Sequence, residues 1–433
     1  MDFGLSEEQE LLQRAARELL AAECPPAVVR AATEPASDPP ADSTEGSGST
    51  ADATSSAASR GFPRELYRKL ADLGWFAVLV PEAFGGSGGS MLDAALLCEE
   101  AGRAALPGPF LATAVLAPIA LARGGSTPQK RTWLPRLATG DAVGTVAIAE
   151  RTDRYDPEGI AARARPVRDG YRLSGTKMFV PDAHVADFVV VAARLGSPPA
   201  KGGKATRGGR RGHPHAARDG HPARDGHPAR GDGVGVSLFL VEHGAPGMRI
   251  RLLETIDRTR RVCEVVLDDV PVPTPALVGP PGGGWPLVRQ LLDAGAVALA
   301  ADSLGGAERV LEMSVEYARV REQFGRPIGS FQAIKHLAAE MVSEIEPARS
   351  LVWYAAHAFD ARPRERSRAA SIAKARLTDV YARTAVRALQ IHGGIGFTWE
   401  HDIHWWLKRA KWNEAAFGDG MFHRAQVASI DAF

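Results

Sequence analysis

Tyr317-Ala-Arg-Val-Arg321-Glu-Gln323-Phe324-Gly-Arg-Pro327-Ile-Gly-Ser-Phe331-Gln-Ala-Ile-Lys335, followed later by Gln390-Ile-His-Gly393-Gly394-Ile-Gly396-Phe-Thr-Trp-Glu400, is the stretch that decides the fold. Both pieces interrupt long helical patterns. Leu304, Ala307, Leu311 and Ala318 recur at helical spacing before the first, and the pattern resumes over 331–359 and 368–391. His392-Gly393-Gly394 reads as a helix stop and a turn. From 286 onward, therefore, the chain is expected to form long helices.

Upstream the texture differs. From Gly140, short β-like runs appear at 143–149, 170–177, 188–193, 236–241 and 262–267, punctuated by Gly, Pro and Asp, as in an antiparallel β domain. Before that the chain reads as helical. Ser6 is a helix N-cap with Gln9 completing a capping box, and Leu5, Leu11, Leu12, Ala15, Leu19 and Leu20 give that helix an apolar face. Helical patterning returns at 63–73, 91–105 and 112–123, and again from Thr127-Pro128. The fold class is α+β: an N-terminal helical domain over 1–140, an antiparallel β domain over 141–280 and a C-terminal four-helix bundle over 281–433. Two low-complexity stretches, 33–60 and 196–235, hold almost nothing to bury and are expected to be disordered insertions. The second repeats Ala-Arg-Asp-Gly-His-Pro in tandem. Its His213, His215, His221 and His227 read as a solvated loop rather than a metal site, because nothing orders them as ligands.

Bulk composition excludes some function classes. The chain has 433 residues, with 52 Lys and Arg against 51 Asp and Glu, so no global field attracts nucleic acid or an anionic membrane. Cys24, Cys98 and Cys263 lie far apart without metal spacing, which points to a reducing compartment. The acidic start Met1-Asp-Phe-Gly-Leu-Ser lacks the pattern of a secretory signal. The most apolar run, 109–122, is short for a membrane span and contains Pro118. A cytoplasmic location is expected.

The two opening motifs are joined by weaker ones in a fixed order. These are Leu79-Val-Pro-Glu-x2-Gly-Gly86, Leu173-x-Gly-x-Lys177, Phe239-Leu-Val241 and Asp268-x-Val-x-Val-Pro273. Together they resemble the acyl-CoA dehydrogenase family over nearly the whole chain. The resemblance implies FAD at a subunit interface, with each subunit supplying a different half of the site. Arg321 would pair with the pyrophosphate, where a planar, permanently charged fork suits phosphate oxygens. Gln323 and Phe324 would line the adenine side, and Gln390, Gly393 and Gly394 would let backbone approach the dinucleotide. The plainer readings are a surface ion pair for Arg321 and a helix stop for the glycines. The implied reaction removes an α proton from an acyl-CoA thioester by a carboxylate while the β hydrogen leaves as hydride. Implied partners are the acyl-CoA substrate, a related subunit or further copies of this chain in a tetramer, and electron transfer flavoprotein.

Several positions depart from the family's pattern. A Gly-Ser loop that holds the flavin ring reads Ala149-Glu-Arg-Thr-Asp-Arg-Tyr-Asp156 here, and a Trp-Ile/Val-Ser/Thr strand reads Phe179-Val180-Pro181, which lacks one N–H. The usual base positions carry Phe417, in Ala416-Phe417-Gly418-Asp419, and Gly295. Neither residue abstracts a proton, so the catalytic residue is unassigned. Asp302, about 10 Å along the helix from Gly295, and Asp419 are the candidate stand-ins, against a plain reading of Asp302 as a helix-surface carboxylate. Trp399, Trp405, Trp406 and Trp412 read as packing residues. Glu400 and Asp402 are expected to pair with Lys408 and Arg409, and His392 and His404 to fill turn and surface roles. Three enzymatic readings follow: a subunit completing a shared flavin site with a related partner, a self-sufficient homotetramer, and a flavin-dependent monooxygenase on the same fold. The first two are favoured, with the first ahead. A non-enzymatic scaffold would leave the Arg321 and Gln390 motifs idle.

Overall fold

In the computed structural model, residues 4–33, 62–152, 154–196 and 235–431 are described. The two low-complexity stretches, with their four histidines, lie outside them apart from their end residues. Among the described residues six α-helices come first: α1 (Glu7–Glu23), α2 (Pro26–Thr33), α3 (Arg64–Asp72), α4 (Met91–Arg103), α5 (Ala117–Gly124) and α6 (Thr127–Ala138). The sheet strands are β1 (Gly144–Ala147), β2 (Arg163–Val167), β3 (Gly170–Pro181), β4 (Phe188–Leu195), β5 (Val236–Glu242), β6 (Met248–Leu252), β7 (Val262–Pro273) and β8 (Leu277–Val278). Then come α7 (Trp285–Val320), a short ribbon of β9 (Glu322–Gln323) and β10 (Arg326–Pro327), α8 (Gln332–Ala361), α9 (Arg366–His392), α10 (His404–Ala415) and α11 (Gly420–Asp431).

The expected capping box forms. The Ser6 side chain accepts the Gln9 N–H, and the Gln9 side chain accepts from the Ser6 N–H. The apolar face of α1 is narrower than its leucines suggest: Ala16 and Leu20 are buried, whereas Leu11 is 61% exposed and Ala15 also faces solvent.

β4 explains how the sheet sits in the core. Phe188, Val190 and Ala192 join the larger apolar cluster with the helices, while Val189, Val191 and Ala193 join a second cluster on the opposite face. A strand covered on both faces reads as a continuous apolar run, which is why 188–193 stood out in the sequence. The sheet runs β6-β7-β3-β2-β4-β5-β8, with β1 on β4. Most pairings are antiparallel, but β1 and part of β2 lie parallel to β4.

α4 and α7 cross at backbone contact. A Cβ on Gly305 would stand 1.8 Å from the Glu99 carbonyl oxygen, and one on Gly102 would stand 2.0 Å from that of Asp302. Only glycine fits at such a crossing. Beside it, Arg349 bridges the buried Glu99 and Glu308. Burial first, then the neighbouring Glu308 charge, pushes the Glu99 carboxyl up to about 8 from an ordinary 4.5. The folded chain thus keeps a proton that the unfolded chain releases. Stability from this group is full below about pH 4.5 and is lost as pH climbs through about 8. Denaturant midpoints should fall across that window, and Glu99→Gln should flatten the fall; an unchanged slope in the variant contradicts the assignment.

No helix among the described residues is long and apolar enough to cross a membrane.

Candidate active site

Two cavities lie where the sheet meets α7, α10 and α11. The first, of about 360 Å³, is largely apolar and is walled by Ala149, Phe179, Pro181, Ile256, Trp412 and Phe417, among others. Its sheet wall is held by a buried ion pair: Lys177 Nζ lies 2.7 Å from Glu150, whose two oxygens also accept the Ala161 and Ala162 N–H groups. Burial pulls the Lys177 ammonium down to about 8, and Glu150 pulls the other way. A register shift between Lys177 and Val180 turns Phe179 out at φ +52°, half exposed. Pro181 offers no N–H to the cavity, and its carbonyl accepts from Thr145 Oγ1 at 2.6 Å. Ala149 and Tyr155 of the loop, and the Phe179–Pro181 strand, both stretches singled out in the sequence, therefore line one cavity. Thr255, Ile256 and Asp257 from the β6–β7 loop, and Lys411 and Trp412 from α10, complete it. Sequence reasoning missed the first three and assigned Trp412 to packing. Its place one helical turn before Ala416-Phe417 was the available signal.

The two usual base positions meet. A Cβ on Gly295 would lie 2.7 Å from Phe417 Cδ1, so the ring occupies the niche that a side chain at 295 would need. Gly295→Ala should cost about 1–3 kcal/mol through overpacking, and a Phe417→Leu background should remove most of that cost. Denaturant unfolding of the two single variants and the double variant checks this; additive costs contradict it.

Neither carboxylate proposed as a stand-in reaches the cavity. Asp302 is a buried hub rather than a base or a surface group. It receives Arg260, Arg409 (Nη2 at 2.6 Å) and Asn413 Nδ2 at 2.8 Å, and lies below its ordinary carboxylate range despite burial because of those cations. A base held this way has no lone pair to offer. Asp419 is exposed and accepts the Phe422 N–H at 2.7 Å, closing the turn into α11. The expected pairs of Glu400 and Asp402 with Lys408 and Arg409 do not form either. Arg409 goes to Asp302, Asp402 to Arg30, and Lys408 Nζ sits 3.9 Å above the Trp399 ring. His404 is buried rather than on the surface. Burial, then Lys408 and Arg30, push its imidazole down to about 4.

The second cavity, of about 310 Å³, carries more polar and charged side chains than the first and shares Tyr155 and Leu292 with it. Asp293 lines it, accepts the Ser367 hydroxyl at 2.7 Å, and has its carboxyl raised by burial. Arg154 and Arg289 add cations, and Ser371 and His423 close the inner end.

The helical motifs gather elsewhere. Tyr317 stacks on His392 at 4.5 Å and 21°, which brings the ends of α7 and α9 together. His392 is buried, and its Nδ1–H donates to the Ala388 carbonyl. Arg321 caps α7 and makes no side-chain ion pair or hydrogen bond among the described residues. Gln323 donates to its neighbour's carbonyl, and Phe324 sits at φ +55° and 91% exposed. Gln390 is exposed. Gly393 takes φ +63° with ψ −142°, and a Cβ on it or on Gly394 would meet nothing within 4 Å. None of these six residues lines either cavity.

The chain matches the family models for the acyl-CoA dehydrogenase N-terminal domain over 49–141 and C-terminal domain over 282–430. It is 32% identical over 373 residues to the protein named probable acyl-CoA dehydrogenase YngJ of Bacillus subtilis, covering 85% of this chain and 89% of that one. The chain belongs to the acyl-CoA dehydrogenase family. This acyl-CoA dehydrogenase is also 30% identical over 429 residues to acyl-CoA dehydrogenase IpdE2 of Mycolicibacterium smegmatis, covering 99% of each. Among solved structures it is similar to the ChsE4–ChsE5 complex from Mycobacterium tuberculosis, with TM-score 0.79, 27% identity, and 100% and 99% of the two chains covered. Membership makes it a flavoprotein oxidoreductase of acyl-CoA dehydrogenase type with FAD as cofactor. The residues fit that group unevenly. Arg321, unpaired among the described residues, and the open glycines suit a dinucleotide, whereas the sheet wall lacks the Pro181 N–H and both base carboxylates.

Proposed function

We propose that this acyl-CoA dehydrogenase works as one subunit of a complex with a related partner, completing a flavin site that the two chains share. One observation carries this reading: Arg321, Gln323, Phe324, Gln390 and Gly394 lie exposed, and Gly393 half-buried, at the ends of α7 and α9, away from the two cavities described above. Residues with that placement serve a dinucleotide held by another subunit. Arg321 pairs with the pyrophosphate as a charge-assisted fork, and Gln390 with the two glycines lets backbone lie against it. The partner supplies an intact ring-binding loop and the carboxylate that takes the α proton. FAD, when bound, accepts the β hydrogen as hydride.

Within this chain, the second cavity suits the amide-bearing arm of a coenzyme A thioester, with Asp293 accepting an amide N–H and Arg154 and Arg289 facing phosphate. Phe417 and Gly295 leave the adjoining apolar cavity without a base, so thioester bound there is not deprotonated. The complex resides in the cytoplasm and passes its electrons to electron transfer flavoprotein. The reading is supported by likeness to a solved structure that is itself a complex of two chains.

The test mixes an acyl-CoA anaerobically with the co-expressed pair and with pairs inactivated in one subunit. Loss of oxidised flavin absorbance should survive Phe417→Ala here and vanish when the partner's base is replaced. Loss of the reaction on altering only this chain's cavity contradicts the assignment of roles.

A further inference from the structure

The loop Ala416-Phe417-Gly418-Asp419 is held by two buried titratable side chains that the reaction does not use. Lys374, on α9 and fully buried, donates from Nζ to the Gly418 carbonyl at 2.9 Å and to the Glu414 carbonyl at 3.3 Å. His423, on α11 and 4% exposed, places Nε2 at 3.1 Å from the Phe417 carbonyl and Nδ1 at 3.1 Å from Ser371 Oγ. A carbonyl only accepts, so Nε2 carries the hydrogen and Nδ1 accepts from the serine hydroxyl. Two consecutive carbonyls, those of Phe417 and Gly418, are thus fixed from two different helices.

Phe417 needs such fixing. Its φ of +59° lies in the left-handed region, which a bulky aromatic residue adopts only when its surroundings hold it there. In that conformation its ring packs on Gly295 and forms the wall of the apolar cavity, while His423 lines the second one. The His423–Phe417 hydrogen bond is part of the partition between the two cavities.

We infer that Lys374 and His423 are positioning residues: by holding the carbonyls of Gly418 and Phe417 they keep the Phe417 ring seated on Gly295 and so set the wall between the cavities. The electrostatics agree with this geometry. Burial pulls Lys374 down to about 7 from 10.5 and His423 down to about 3 from 6.5. The charged groups around Lys374 are Glu414 on α10, Asp419 in the loop and Asp379 on α9, which is paired with Arg424 of α11; all three carboxylates favour its protonation. They do not offset burial, so at neutral to alkaline pH both side chains clamp the loop largely in the neutral state.

A consequence follows from the sign of the Lys374 shift. When the loop opens, Lys374 regains water and its ordinary affinity for a proton. Opening is therefore coupled to proton uptake at Lys374 between about pH 10.5 and about pH 7, and from about pH 6.5 down to about pH 3 the depressed His423 adds an uptake of its own. The opening constant should rise by up to tenfold for each pH unit lowered within that window.

The test is amide hydrogen exchange on the full-length chain, corrected for intrinsic rates and read separately at 416–420 and at the β4 amides as a folding control. In the unaltered chain, opening at 416–420 should rise as pH falls toward 7. In Lys374→Met it should be more frequent and independent of pH between about pH 7 and pH 10.5, with β4 protection retained. His423→Leu should loosen the loop as well, whereas His423→Gln, whose amide N–H can still donate to the Phe417 carbonyl, should restore most of the protection. Equal protection at 416–420 in all four proteins overturns the inference, and so does a pH dependence between about pH 7 and pH 10.5 that survives in Lys374→Met. Should Lys374→Met fail to fold, the His423 pair decides alone: no difference between leucine and glutamine overturns it. These readings need neither flavin nor partner, so their failure is distinct from failure of the shared-site proposal.

Discussion

Asp302→Leu should destabilise the folded chain by about 3–5 kcal/mol, a larger loss than any other single substitution considered. Asp302 is the junction of four segments. Its carboxylate takes Arg260 from the β6–β7 loop and Arg409 and Asn413 from α10, while it stands on α7 against α4. Arg409 also donates to the Leu106 carbonyl and to Thr259 Oγ1, whose hydroxyl donates to Asp257. Two arginines are thus balanced by Asp302 and Asp257 in a site closed to water. Removing one carboxylate leaves a guanidinium uncompensated there, and the loss is that desolvation penalty rather than the strength of one contact. Equilibrium denaturation near pH 7 measures it. A cost under about 1 kcal/mol would show that water reaches the hub.

Arg321→Ala should act in the opposite way: no effect on stability, a large effect on flavin. The guanidinium engages no other side chain among the described residues, so unfolding should be unchanged within about 0.5 kcal/mol. Charge-assisted bonds to phosphate contribute roughly 1.5–3 kcal/mol each, so loss of the fork should weaken flavin retention by the complex a hundredfold or more. Arg321→Lys should recover only part, because a point charge does not match two phosphate oxygens. Flavin titration of the co-expressed complex measures this; retention within threefold of the unaltered complex removes Arg321 from the site.

What was legible in the sequence is what local chemistry decides. Glycine, proline and arginine at the ends of α7 and α9 punctuate long helical patterns, and those ends lie where the motifs placed them. β4 was legible because both its faces are buried. β2, with Arg163 and Arg165, and β6, with Arg249 and Arg251, were not, because their charged faces interrupt the apolar pattern. Asp302 shows the limit more sharply. Its spacing from Gly295 was readable, but whether that helix face met water depended on Arg260 and Arg409, which arrive from distant segments. The same holds for the cavity. Phe417 and Gly295 were each recognised as the wrong residue for a base; that they fill one another's space is a fact of tertiary packing. Glu150 and Lys177 make a buried pair that neither stretch discloses alone.

The most direct test is the number of flavins per chain. The chain is purified alone and after co-expression with its nearest genomic paralogue, and flavin released on denaturation is measured against protein. A colourless lone chain and one flavin for every two chains in the pair is the predicted result. About one flavin per chain in the protein purified alone, with oxidation of an acyl-CoA, would contradict the shared site and show that this cavity works without a carboxylate at 295 or 417.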